Sequence, residues 1–360
     1  MAATTKHLYK RLAERFDKTS FGIPRWLGIE RILLKRLFSE VDAQTFLGME
    51  PARWYTPVQF CEFNGGAVEV AAEKLESMAK RALLYRRHRD GVTEYRHPAF
   101  AFGFMEFQAE NPKFPYFIWS LMSFLSGGAK LTNKFMPFYR TIPIRSELVN
   151  GSKVLPYDDL DALLDRHTRF AIARCMCREN LSDPEKCKHP RGTCTMTDDM
   201  ADFFVENGMG RSATREEVAA MLRSGEKDGR IIQVTNSQNA ENICSCCKCA
   251  CGLFQLLKLG GPGVKQWSNH HVVHDDSLCT LCGDCISRCN VSAISKKDGK
   301  LVTDLERCLG CGLCAAACPR KARSLARKPD AQLYEPPVTM EAAQEKWASM
   351  RMADQRKRKS

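Results

Sequence analysis

Cys279, Cys282, Cys285 and Cys289 follow the spacing C-x2-C-x2-C-x3-C, and Cys308, Cys311, Cys314 and Cys318 repeat it, with Pro319 next. Three thiolates in so tight a loop can grip three corners of a four-iron cube, while the fourth corner is taken by a thiolate from farther along the chain. The gaps leave no room for a regular helix through the loop. Each cysteine of the first run precedes its counterpart by 29 positions, and Asp275 with Asp304 and Ala293 with Ala322 keep the same offset, so the segment is an internal duplication. Zinc also takes cysteine quartets, but a doubled run with these gaps points to two iron–sulfur sites. Asn290 stands where the second run has Pro319, which leaves the ligands intact but puts equality of the two potentials in doubt.

The doubled run resembles bacterial two-cluster ferredoxins over residues 275–325. The resemblance implies two [4Fe–4S] clusters, single-electron transfer and crossed ligation, in which the fourth cysteine of each run serves the other cluster. One cluster would then use Cys279, Cys282, Cys285 and Cys318, and the other Cys308, Cys311, Cys314 and Cys289. Gly283, Gly310 and Gly312 suit a close approach of backbone to inorganic sulfide. Backbone N–H groups there can hydrogen-bond to sulfur and raise the potential. Upstream, His271-Val272-Val273-His274-Asp275 aligns with Lys300-Leu301-Val302-Thr303-Asp304, which places His271 and His274 on the edge of a strand leading into the loop.

Nine further cysteines crowd into the middle of the chain: Cys175, Cys177, Cys187, Cys194, Cys244, Cys246, Cys247, Cys249 and Cys251. In an extended segment Cys175 and Cys177 share one face. Cys187 and Cys194 fall in loops marked by Asp183-Pro184 and His189-Pro190, and the expectation is that they converge with that pair on one ion or cluster. Three readings stay open: a third iron–sulfur cluster, a zinc site, or redox-active thiols. Adjacent Cys246 and Cys247 do not suit one cubane together, so some of the nine are spare. Arg174, Arg178 or Lys248 would favour a thiolate or an anionic cluster beside it. The C-x-C-R segment and cysteine knot ahead of a two-cluster run resemble uncharacterised ferredoxin-like proteins of anaerobic bacteria, a likeness that implies no particular reaction.

These residues need a scaffold, and the pattern predicts an α+β chain. A helical, winged-helix-like domain with an aromatic-rich segment is expected over 1–140, a cysteine-rich mixed α/β domain over 141–265, and a ferredoxin-like two-cluster domain over 266–328. A linker, a helix and a basic tail follow over 329–360. Val68, Ala71, Ala72, Leu75, Ala79 and Ala82 form an apolar stripe at helical spacing, and Asp90-Gly91 between Leu83–Arg89 and Val92–Arg96 is a hairpin signal. Together they resemble a winged helix. Its reading helix would expose Glu69, Glu73 and Glu76, which repel phosphate, while Arg86, Arg87 and Arg89 remain as a basic wing. Phe100, Phe102, Phe104, Phe107, Phe114, Tyr116, Phe117, Trp119 and Phe124 read as core between the two halves. Thr214-Arg215-Glu216-Glu217 is a capping box for a helix ending near Gly225, with a strand over Arg230–Thr235.

The net charge of +12 invites phosphate binding, but two anionic clusters would lower it to about +8. The N-terminus lacks a signal-peptide core, and the apolar run Phe114–Leu125 falls well short of a membrane span. Leu259-Gly260-Gly261-Pro262-Gly263 has neither phosphate-loop lysine nor dinucleotide spacing, and no flavin or nicotinamide site is evident. The expectation is a cytoplasmic electron-transfer protein or subunit of anaerobic metabolism, acting with a redox partner protein or oxidoreductase. Its status as an enzyme is left open. The alternatives are a redox-sensing regulator on DNA and an enzyme with a noncubane middle cluster.

Overall fold

The computed structural model describes residues 2–19, 23–125, 136–137, 139–149, 154–258 and 267–357. The side chains of Phe102 and Phe124 and the glycine-rich segment 259–263 lie outside the described residues.

The N-terminal part opens with five helices: α1 (Ala2–Phe16), α2 (Ile29–Leu37), α3 (Glu40–Leu47), α4 (Pro57–Asn64) and α5 (Val68–Lys80). Local signals fix their starts. Ser39 and Asp42 form a reciprocal capping box at α3, as Thr56 and Gln59 do at α4, where Pro57 sits in the first turn. Helix α5 buries Ala71, Leu75, Met78 and Ala79, the core of the apolar stripe. It leads into a hairpin of β1 (Tyr85–Arg89) and β2 (Val92–Arg96). Asp90 and Gly91 both have positive φ, at 50° and 75°, as a type I′ turn requires.

The hairpin's arginines serve the fold instead of forming a basic wing. Arg86 is 5% exposed and pairs with Glu76 of α5 and with Glu206, while Arg87 pairs with Glu94 and stacks 3.8 Å over Trp54. Arg89 reaches Asp199. The reason is that the hairpin packs on the helix Asp198–Glu206 of the cysteine-rich part, whose carboxylates meet these guanidinium groups. Glu69 and Glu73 are exposed, but Glu76 is held by Arg86 and by the Tyr95 hydroxyl.

Phe100, Phe104, Phe107, Phe114, Tyr116 and Trp119 are buried, and Phe117 is exposed. Phe107 lies 4.7 Å from the ring of Phe203, so one apolar core runs from Tyr9 in α1 to Phe204 beside the sheet.

That sheet has six strands: β3 (Tyr139–Thr141), β4 (Phe170–Arg174), β5 (Gly192–Thr197), β6 (Gly210–Ala213), β7 (Ile231–Thr235) and β8 (Asn242–Cys246). Their order is β3-β7-β8-β5-β4-β6, with every neighbouring pair antiparallel. The register therefore brings the end of β4, the start of β5, the end of β8 and the start of β7 to one side. Ala173 faces Cys194, and Ile231 faces Cys246. Every middle cysteine lies on or beside that end.

Two details of the helix Arg215–Lys227 differ from expectation. Thr214 caps it, but Glu217 turns to Arg211 instead of back to the cap, and Gly225 lies inside the helix. A Cβ on Gly225 would stand 2.6 Å from the Ser245 hydroxyl, so glycine is there to let the helix meet β8.

Residues 267–327 form two small sheets, β9 (His270–His274) with β12 (Arg323–Arg327), and β10 (Ile294–Lys297) with β11 (Lys300–Thr303). Buried Arg140 and Asp158 tie this unit to the large sheet: Arg140 bonds Asp158 at 2.8 Å, and Asn269 donates to Asp158 at 2.7 Å. The helix Met340–Lys357 then packs Met340, Ala343 and Trp347 on Met136 and Tyr139, and Arg351 pairs with Asp17. Among the described residues, no helix is long and apolar enough to cross a membrane.

Removing one partner of a buried charge pair leaves the other uncompensated. Arg86→Met is expected to cost on the order of 3 kcal/mol, read as a fall in the denaturation midpoint. An unchanged midpoint would show that the Glu76–Arg86–Glu206 bridge does not hold the hairpin in place.

Candidate iron–sulfur and thiolate centres

The 29-residue duplication is written into the backbone. Leu281 and Gly310 both have φ of 58°, Gly283 and Gly312 have 90° and 89°, and Ser292 and Lys321 have 54° and 52°. The two halves interlock through equivalent hydrogen bonds: Asp275 N–H donates to Ala322 at 2.9 Å, and Asp304 N–H donates to Ala293 at 2.8 Å. Each half thus delivers its last cysteine to the far side of the module. Two short helices, Asp284–Arg288 and Leu313–Ala316, start at the left-handed Gly283 and Gly312. Gly310 is required for a further reason, since a Cβ there would stand 2.2 Å from the His270 carbonyl.

Cys279, Cys282, Cys285 and Cys318 line one hollow, together with His274, Pro319 and Arg323. Its rim is open: Cys282 is exposed, and so are the flanking Leu278 and Leu281. Cys308, Cys311 and Cys314 neighbour Cys289 on the other side of the module, where Leu309, Leu313, Val291 and Ala293 pack around them. Burial pushes the Cys311 thiol well up and raises Cys314 to about 12, against the pull of Arg323. Bare thiolates are therefore disfavoured at Cys311 and Cys314, and a cation that neutralises them would displace protons. Both quartets suit a four-iron cluster by donor chemistry: four sulfurs converge, and no carboxylate lines the first hollow except Asp284.

Arg323 is a residue that the cysteine pattern does not reveal. It is 2% exposed on β12 and bears on Cys285 and Cys314, one cysteine from each run. Its counterpart in the first half is Ile294. That break in the repeat, charge against aliphatic, is the signal that could have found it. His271 and His274 lie on β9, which pairs on one side with β12, and His274 is near the Ala322 carbonyl at 3.0 Å. His270, one step earlier, is buried, and burial lowers it to about 4.

The nine middle cysteines do not converge on one point. Cys175, Cys177, Cys251, Cys246, Cys244 and Cys194 neighbour one another in that order, and Cys175 lies within electrostatic reach of Cys194 and Cys244, so the series curls back on itself. Hydrogen bonds from Cys194 and Cys246 hold Cys244 well below the usual thiol range, and those from Cys177 and Cys246 lower Cys251 to about 5. The Tyr139 hydroxyl lies 3.3 Å from Cys244, and Asn242 donates to Cys194 at 3.2 Å. Cys187, Cys247 and Cys249 gather elsewhere, all three sulfurs within 4.8 Å of one another. The division follows from strand geometry. Alternation along β8 sends Cys244 and Cys246 to one face and Ser245 and Cys247 to the other, so the adjacent pair separates. Cys194 lies on β5, not in a loop, and this parts it from Cys187. Cys61, in α4, is remote from both groups by sequence and element.

The six-sulfur group abuts the second quartet. Cys246 and Cys251 pack with Phe254 and Leu253 against Cys289, Cys308 and Cys311. Asn290 fastens this contact: its side chain accepts from Lys248 N–H at 2.7 Å and donates to the Gly229 carbonyl at 2.9 Å. The departure from proline in the first run is therefore a docking device.

Comparison with known proteins places one family match in the C-terminal unit. The 4Fe-4S dicluster domain family matches residues 271–319. Two uncharacterized ferredoxins of Methanocaldococcus jannaschii are similar to this chain. One is 32% identical over 80 residues, 22% of this chain and 46% of the relative. The other is 49% identical over 44 residues, 12% of this chain and 29% of the relative. The chain thus spans less than half the length of these curated relatives. No solved structure matches it.

Asn290→Pro would restore the repeat while stripping two hydrogen bonds from the contact, at about 1–3 kcal/mol for the groups left unsatisfied. Faster amide exchange at Lys248 with unchanged iron content is expected. Exchange at Lys248 equal to that of the native chain would show that the docking does not depend on Asn290.

Proposed function

We propose, from the 4Fe–4S dicluster domain at residues 271–319, that the chain is an electron-transfer protein or subunit that passes single electrons between a soluble donor and a partner oxidoreductase in the reducing cytoplasm. Each four-iron cluster, when bound, supplies one-electron redox chemistry. Cys279, Cys282, Cys285 and Cys318 would hold one cluster, and Cys308, Cys311, Cys314 and Cys289 the other.

The observation that carries this reading is the unequal exposure of the two quartets. The first opens at a surface with exposed Cys282, Leu278 and Leu281, and the second is packed against the sulfurs of the cysteine-rich part. An arrangement open at one end and buried at the other suits conduction between a surface partner and an internal centre. The six-sulfur group of Cys175, Cys177, Cys194, Cys244, Cys246 and Cys251 would hold a third iron–sulfur cluster at the buried end. Exposed Lys296, Lys297, Lys300, Arg320 and Lys321 on the same module favour an acidic partner face.

The DNA-binding alternative draws no support from the hairpin, because Arg86 and Arg87 are engaged inside the protein.

Cys289→Ala and Cys308→Ala are expected to disturb the same paramagnetic signal in anaerobically reduced protein, because the two residues share a quartet. Two different signals lost would refute crossed ligation. Arg323→Gln should lower the reduction potential of the dicluster module by on the order of 100 mV, as for one charge removed at close range in an effective dielectric near 20. Redox titration followed by visible absorption reads this shift, and an unmoved potential would remove Arg323 from the redox centre.

A further inference from the structure

We propose that Cys187, Cys247 and Cys249 form a separate site for a single zinc ion, with one coordination position left open. The inference goes beyond the electron-transfer reading and does not depend on it. The Cys249 sulfur stands 3.1 Å from that of Cys187 and 3.1 Å from that of Cys247, and Cys187 and Cys247 are 3.7 Å apart. Thiolates on one tetrahedral zinc, each at about 2.3 Å, stand about 3.8 Å from one another. Thiolates on different irons of a cluster are held farther apart by the inorganic core between them. Among the described residues, this trio draws within 4.8 Å, and the two dicluster quartets do not.

The chain builds the trio deliberately. Strand alternation turns Cys247 away from the six-sulfur group, and the turn in which Cys251 N–H donates to the Cys247 carbonyl at 3.0 Å folds Cys249 back beside it. The loop after Asp183 carries Cys187 across, closed by Cys187 N–H to the Asp183 carbonyl at 3.0 Å. Three thiolates and a divalent ion leave one negative charge. The buried Arg178 guanidinium, 3.6 Å from the Cys247 sulfur, compensates it. Thiolate ligands select soft or borderline cations, and zinc needs no redox partner to remain in place. Among the described residues, no fourth Cys, His, Asp or Glu joins the trio within that range. Cys187 and Cys247 are buried and Cys249 is half-buried, so the free position faces outward along Cys249. Three protein ligands and an open position form the arrangement of zinc sites that take an exchangeable water.

The test uses the full chain, purified anaerobically, with zinc, iron and acid-labile sulfide measured together. About one zinc per chain is expected, with three sulfurs and one lighter atom in its X-ray absorption shell. Cys249→Ala, at the least buried of the three, should weaken zinc retention against a chelator by at least about tenfold while iron and sulfide stay unchanged. Cys187→Ser provides a second variant, and cobalt(II) in place of zinc should give a thiolate charge-transfer band that both variants lose. Native protein without zinc, zinc held by four sulfurs, or loss of iron and sulfide with Cys249→Ala would each overturn the proposal. Absent iron beside intact zinc would instead count against the electron-transfer reading alone.

Discussion

The cysteine-rich half of this protein depends on one buried cation. Arg178 is 1% exposed, and its guanidinium donates to the carbonyls of Pro190 and Ser245, to the Thr193 hydroxyl and to the Cys247 sulfur. These contacts join the loop that carries Cys187 to the strand that carries Cys244 and Cys246. Burial alone would lower its affinity for a proton, yet the facing Cys175 and Cys247 sulfurs raise it. A permanent positive charge thus sits between two groups of sulfurs that would otherwise repel each other, at a depth where water cannot screen them.

The dicluster module was legible because its information is local and repeated. Spacing alone marks its eight cysteines, and the offset that identified the duplication reappears in the φ angles of Leu281 and Gly310 and of Gly283 and Gly312. The helices followed by a hairpin were legible for similar reasons: the α5 stripe and the Asp90-Gly91 turn are short-range signals. The middle cysteines were not, because their grouping is decided by register. Only the pairing of β5 with β4 and β8 places Cys194 near Cys244 and away from Cys187. The fate of the hairpin arginines was equally hidden, since their partners Asp199 and Glu206 lie more than a hundred residues away.

Symmetry is kept in this protein at the cysteines themselves and broken beside them. Asn290 against Pro319 and Arg323 against Ile294 are such breaks, and both have a structural purpose: one binds the Lys248 turn, the other places charge between the two quartets. A duplicated module has two equivalent faces, and docking against a single sheet can satisfy only one of them. Divergence at the contacted positions follows from that geometry.

The helix Met340–Lys357 lies over Tyr139 and Cys244, and its Arg351 reaches back to Asp17. Cys244 is therefore covered on that side by a segment held through side-chain packing and the Arg351–Asp17 ion pair, and uncovering the sulfur there requires the helix to part from Met136 and Tyr139.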